Sequence, residues 1–157
     1  MKYKRLQKEE LQELEKEFIR FLSSAQITGA DWGKMKVKET EKAEELIEVF
    51  SDLVYEKVLS KIKYLEYRDE KILTIFCCLP EKILLAGITV KEGSSLSLLT
   101  PGAFKTWNEK EANDVNIIKS ERTYLKDRGS EVFELLQKGC VITDDYLFNV
   151  LNNIENS

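Results

Sequence analysis

The sequence predicts an α+β fold: N-terminal helices, an antiparallel β-meander with a fourth strand, and C-terminal helices. Three observations carry that prediction. Apolar residues recur at helical spacing through the first third of the chain, the period drops to two around TIFCCLPEKILL, and helical spacing returns near the end. A chain of 157 residues also has the size of one ordinary domain, which buries roughly 70% of the surface exposed by its unfolded form. With no internal repeat, low-complexity tract or Pro/Ser-rich linker, a single domain over 1–157 is expected.

Leu11, Leu14, Phe18, Phe21, Leu22 and Ala25 share one face, with Glu, Lys and Gln opposite, and predict an amphipathic helix over 11–25. Thr28 and Asp31 mark the start of a short second helix that carries Trp32 and Met35 and ends near Lys36. A Thr side chain there caps free backbone N–H groups, and an acid in the first turn suits the helix dipole. A long helix follows over 39–62, with Ala43, Leu46, Ile47, Phe50, Leu53, Val54, Val58 and Ile62 on one broad face; it makes roughly six turns.

Strands are then predicted over 63–68, 71–79 and 82–90, separated by turns at Asp69-Glu70 and Pro80-Glu81. After a polar loop over 91–95, Thr100-Pro101 reads as an N-cap with proline in the first turn of a helix through Trp107. The β-branched residues of 115–124 predict the fourth strand. Two helices close the chain: 130–138, stopped by Gly139, and 144–155, capped by Thr143 and burying Leu147, Phe148, Leu151 and Ile154.

Composition narrows the function classes. Hydrophobic residues at 43% and charged residues at 33% lie outside the regime of disordered chains. Twenty-four basic against 28 acidic residues give a net charge of −4, so no global positive field favours nucleic acid as a partner. The start, MKYKRLQKEE, lacks an apolar export core, and no stretch approaches the roughly 18 apolar residues of a membrane span. The expected compartment is the cytoplasm, with three reduced cysteines. The absence of histidine excludes a Cys–His nucleophile pair and any His-containing metal site within one chain.

Cys77-Cys78 is the pair that raises a chemical question. In a strand the two side chains point to opposite faces, which disfavours a shared metal, and their Cα spacing of about 3.8 Å is below the usual disulfide range. With Pro80-Glu81 at the centre of the turn, Cys77 lies opposite Leu84, Cys78 opposite Ile83, Phe76 opposite Leu85 and Ile75 opposite Ala86. All of these pairs suit burial, so both thiols read as core residues. Cys140 fits either the core or a loop.

Asp144-Asp145 could ligate a cation with Asp127 or Glu131, but acids at helix starts are better explained by the dipole. Glu41, Glu44, Glu45 and Glu48, and the basic groups Lys2, Lys4, Arg5 and Lys34, Lys36, Lys38, read as solvated faces. The glycines form no phosphate-binding loop. No catalytic, cofactor-binding or metal-ligating residue is therefore assigned, and no cofactor is expected. Trp32 and Trp107 remain as candidate partner contacts, since a tryptophan on a short helix serves either the core or an interface.

The segments YKRLQKEELQELEKEFIRFL, IEVFSDLVYEKVLSKIKYLEY and LLQKGCVITDDYLF together resemble a family of small uncharacterised bacterial proteins, a domain of unknown function. The resemblance implies a stand-alone domain and supplies no catalytic residues. An aminoacyl-tRNA synthetase label, sometimes attached to such proteins, does not suit a chain this short without the synthetase motifs. The architecture is also similar to secretion-chaperone-like α/β folds that bind polypeptides. The expected role is a non-enzymatic cytoplasmic domain that binds a protein partner or itself, through the first helix or a sheet edge. The alternative is a small-ligand-binding protein or enzyme whose site only the fold assembles.

Overall fold

The structure, a computed structural model, describes residues 1–154. Its internal contacts divide the chain into two compact units, Met1–Ser60 and Lys61–Ser157.

The first unit is helical: α1 (Lys8–Glu13), α2 (Glu15–Ser24), α3 (Gly29–Lys38) and α4 (Thr40–Ser60). The helix predicted over 11–25 is thus two helices that meet at Leu14, where φ is −100° and ψ is 22°. It starts before the first apolar residue of the period because Gln7 N–H donates to Glu10 Oε2 at 2.7 Å, a polar start that periodicity does not register. α2 ends with Gln26 in the left-handed region at φ 60°. Gln26 N–H donates to the Ser23 carbonyl at 3.0 Å and Ile27 N–H to the Leu22 carbonyl at 2.9 Å, a Schellman ending built without glycine.

The cap predicted for α3 is present, with Asp31 N–H donating to Thr28 Oγ1 and Thr28 N–H to Asp31 Oδ2, both at 3.1 Å. α3 runs past Lys36 to Lys38 because neither glycine nor proline stands there to stop it. α4 buries Ala43, Phe50, Ser51 and Leu59. Leu53 and Val58, assigned to its core face by periodicity, are 53% and 50% exposed. Phe50 packs against Phe18 and Phe21, with ring centroids 5.0 and 5.4 Å apart. The buried Ser51 hydroxyl accepts from Leu6 N–H at 3.0 Å and donates to the Ile47 carbonyl at 2.7 Å, fixing the segment before α1 against α4.

The second unit holds β1 (Tyr64–Arg68), β2 (Ile72–Cys78), β3 (Lys82–Val90), α5 (Glu109–Ala112), β4 (Val115–Thr123), α6 (Arg128–Gln137), β5 (Val141–Thr143) and α7 (Tyr146–Asn152). Among the described residues the strands form one five-stranded sheet in the order β4-β3-β2-β1-β5, antiparallel throughout. The predicted meander and fourth strand are there, and β5 is an addition. The predicted hairpin register also holds, pairing Ile75 with Ala86, Phe76 with Leu85, Cys77 with Leu84 and Cys78 with Ile83.

One sheet face, with Leu73, Ile75, Cys77, Ala86 and Ile88, forms a core with Leu147, Phe148 and Leu151 of α7 and with Leu98 and Phe104 of the connection after β3. The other face buries Leu65, Cys78 and Ile83. There Arg122 of β4 pairs with Glu131 of α6 at 2.7 Å.

The helix predicted from Thr100 to Trp107 does not form. Gly102 and Phe104 take φ values of +87° and +46°, which break a helix at once, and α5 begins only after Asn108 caps Lys110 N–H at 2.9 Å. Thr143 is a strand residue paired with Tyr64, not a cap. The turn into α7 is made by Asp144 Oδ1, which accepts from Tyr146 N–H at 3.0 Å. The predicted end of that helix at Glu155 lies outside the described residues. α6 ends as expected at Gly139, φ +100°, with Cys140 N–H donating to the Leu135 carbonyl at 3.1 Å.

Gly87 is the glycine that the sheet requires, because a Cβ built there would meet the Leu73 carbonyl oxygen at 2.8 Å. Gly87→Ala should lower the unfolding free energy by about 1–3 kcal/mol. Gly33→Ala, inside α3 with nothing within 4 Å of the new Cβ, should raise it by about 0.5–1 kcal/mol. Urea denaturation of the two variants beside the parent checks both signs.

Candidate functional site

α1, α2 and α3 enclose an open groove of about 1220 Å³. Its apolar lining comes from Leu11 of α1, Phe18, Ile19 and Leu22 of α2, and Trp32 of α3; helical spacing puts Phe18 and Leu22 on one side of α2. Trp32 stands edge-on to Phe18, with centroids 5.2 Å apart and planes at 81°, and Phe18 is braced in turn by Phe50. The aromatic wall is therefore held from behind while Ile19, 54% exposed, faces water. Arg5, Lys8 and Lys36 stand at the rim against one acid, Glu15. Arg5 is held by Glu44.

The two tryptophans lie in different units. Trp32 is half-buried and lines the groove. Trp107 is half-buried against the sheet core, 6.2 Å from Phe104 between ring centroids, and its backbone N–H donates to the Tyr146 hydroxyl at 3.2 Å. Ile19, like Leu6 and Ile27, is a groove residue that periodicity passed over. It sits beside Phe18 and off the apolar stripe, and an exposed aliphatic next to a stripe is the signal that finds it.

The thiols are placed for packing. Cys77, Cys78 and Cys140 are unpaired and 6%, 4% and 6% exposed. Burial pushes all three thiols up, Cys78 to about 11, so they are protonated at neutral pH and are poor nucleophiles and metal ligands. Burial likewise raises Tyr124 to about 12, and its hydroxyl donates to the Leu79 carbonyl at 2.8 Å.

Of the carboxylates considered as cation ligands, Asp127 and Asp144 bond backbone N–H groups and Glu131 pairs with Arg122. Asp127 caps α6 by accepting from Ser130 N–H at 3.0 Å. Burial alone would raise Glu131, but Arg122 and the Lys126 and Leu125 N–H groups hold it below the usual range. Among the described residues, no group of three or more Cys, Asp or Glu could hold a metal ion, and no helix is long and apolar enough to cross a membrane.

A family model matches residues 1–156. The chain belongs to DUF6495, a family of unknown function. No curated protein and no solved structure matches it. The match spans all three segments on which the resemblance rests, and the groove, both tryptophans and the three cysteines fall inside this DUF6495 region.

The buried acids give a pH dependence with a definite sign. As pH rises past the ordinary thiol value of 9.0, the unfolded chain loses the Cys78 proton while the folded chain keeps it until about 11. Stability is therefore full below pH 9 and falls through that window, with Tyr124 extending the fall from 10.0 to about 12. Denaturation at stepped pH should show the decline, and Cys78→Ala should make it shallower while costing about 1–2 kcal/mol at neutral pH. Rapid modification of the folded protein's thiols at neutral pH would contradict their packing role.

Proposed function

We propose that the N-terminal unit is a non-enzymatic receptor for an amphipathic helix of a partner protein, whose apolar side enters the groove and whose flanks are acidic. The groove itself carries this reading. It is an open, apolar channel walled by Leu11, Phe18, Ile19 and Trp32, the form that helix-in-groove recognition uses. Its volume of about 1220 Å³ exceeds the roughly 300–1,000 Å³ of small-molecule pockets. The acidic flank follows from the rim, where Lys8 and Lys36 stand with no ion pair among the described residues. Trp32 is the anchor, since a half-buried tryptophan ring held against Phe18 in the groove wall is of the type at which binding energy concentrates. The acidic net charge supports a protein rather than a nucleic acid as the partner. The unpaired thiols support a reducing compartment, the cytoplasm.

The reading is tested with two synthetic helices of equal length and identical Leu faces, one flanked by Glu and one by Lys. In a Trp107→Phe background the emission of Trp32 should shift saturably with the Glu-flanked peptide. Ile19→Glu, at a position already half in water, should weaken that binding by about tenfold or more while leaving thermal stability unchanged. Absence of a saturable response to either peptide, equal response to both, or a dimer in light scattering that Ile19→Glu splits would each overturn the heterologous helix as occupant.

A further inference from the structure

The second unit holds an open cavity of about 520 Å³ that gathers charged side chains of both signs beside the apolar Phe104 and Leu147. Its floor is Glu66 and Arg68 of β1, one wall is Lys105 and Thr106, and the other is Thr143 with Asp144 and Tyr146 at the turn into α7. Glu66 and Arg68 lie opposite Ile75 and Leu73 of β2, on the face that forms the apolar core. Aliphatic residues there would extend that core. The chain instead places two charged side chains, 18% and 19% exposed, where desolvation is costly.

Arg68 explains part of this arrangement. Its guanidinium donates to the carbonyls of Leu98 at 3.4 Å, of Phe104 at 3.2 Å and of Ala103. Its Nε stands 3.4 Å from Glu66 Oε2, buried and without a hydrogen bond among the described residues. Phe104 is meanwhile held at φ +46°, a conformation that costs a bulky residue of order 1–3 kcal/mol. Its carbonyl is fixed by Arg68 and its N–H by Glu111 Oε2 at 2.8 Å. The strained residue directly precedes Lys105 and Thr106, so the bracing sets the direction in which that wall is built.

With the Nη donors of Arg68 engaged by three carbonyls and by Glu66 Oε1 at 3.5 Å, and its Nε beside Glu66 Oε2, the polar capacity left to the cavity is of two kinds. Glu66, whose two oxygens each lie 3.4–3.5 Å from the Arg68 guanidinium, and Asp144, whose Oδ1 also accepts from Tyr146 N–H, keep lone pairs for a further donor; Lys105, which makes no ion pair among the described residues, supplies an ammonium beside the Thr106 hydroxyl. Two carboxylates and two cations leave the lining neutral overall. A neutral cavity with separated charges rejects a simple anion or cation and complements a molecule that carries both. From this juxtaposition we infer that the cavity binds a small zwitterion of amino-acid type, its ammonium on Glu66 and Asp144 and its carboxylate on Lys105 and Thr106. The volume falls within the roughly 300–1,000 Å³ of small-molecule sites.

The test uses the full chain, uniformly labelled with nitrogen-15, titrated with the standard free L-amino acids, one at a time, to about 10 mM, enough to fill most of a site with Kd about 1 mM. At least one should shift the amides of Lys105, Thr106, Thr143 and Tyr146 saturably, while acetate and methylammonium, each carrying one half of the charge pattern, should bind about tenfold more weakly or not at all. Lys105→Ala changes an exposed loop side chain and should weaken binding by about tenfold with the remaining spectrum unchanged. Glu66→Gln should do the same, and Lys105→Ala decides the outcome if Glu66→Gln loosens the fold. No saturable shift with any amino acid overturns the inference. So does binding that acetate or methylammonium reproduces, or that survives Lys105→Ala.

Discussion

Leu79 N–H meets the Lys82 carbonyl at 3.0 Å across Pro80 and Glu81, and that closing contact decides which way every side chain of the sheet points. Successive strand residues alternate between faces, so a slip of one position would carry Leu73, Ile75 and Cys77 off the core and put Thr74, Phe76 and Cys78 in their place. β4 takes its register from β3, β1 from β2, and β5 from β1, which makes one turn the reference for the whole sheet. Gly87 depends on the same register. It lies opposite Thr74, and its missing Cβ is what lets the Leu73 carbonyl approach.

Much of this was legible because the local signals were redundant. The pairing around Cys77 and Cys78 followed from two turn residues set between apolar runs, and the start of α3 was announced by Thr28 as a cap and Asp31 as a first-turn acid, to which the structure adds the return bond from Thr28 N–H to Asp31 Oδ2. The misses share a cause: the deciding interaction lay outside the window being read. Thr100-Pro101 opens turns as readily as helices, and what excludes a helix is the positive φ of Gly102 and Phe104, the second of which is imposed by Arg68 and Glu111 from elsewhere in the chain. β5 spans only Val141–Thr143 and exists through its pairing with β1, so before the long-range partner is known its β-branched residues read as the approach to a helix.

The two cavities were legible to different degrees for the same reason. Leu11, Phe18 and Leu22 could be read as one face of a helix from spacing alone, whereas Trp32, on a separate helix, was open between core and interface until the fold set it beside Phe18. Glu66 and Arg68 alternate with Leu65 and Tyr67, which reads as an ordinary half-exposed strand with its polar side in water. The register reverses that picture at one point. It puts the charged pair on the same side as Ile75 and Leu73, and alternation cannot say which of two faces the core will choose.

Phe104 shows why such a charged pair persists on a core face. Two demands meet at that residue: its ring is 1% exposed in the core, and its backbone must turn the chain toward Lys105. Glycine would satisfy the turn without strain and lose the ring, whereas helical backbone would keep the ring's residue type and lose the turn. The fold keeps both, and the strain persists because Arg68 and Glu111 over-determine the backbone on either side. Packing alone asks only for the ring. The direction of the turn, and the Glu66 carboxylate that offsets the charge of Arg68, are explained by the polar cavity they build rather than by the core beside it.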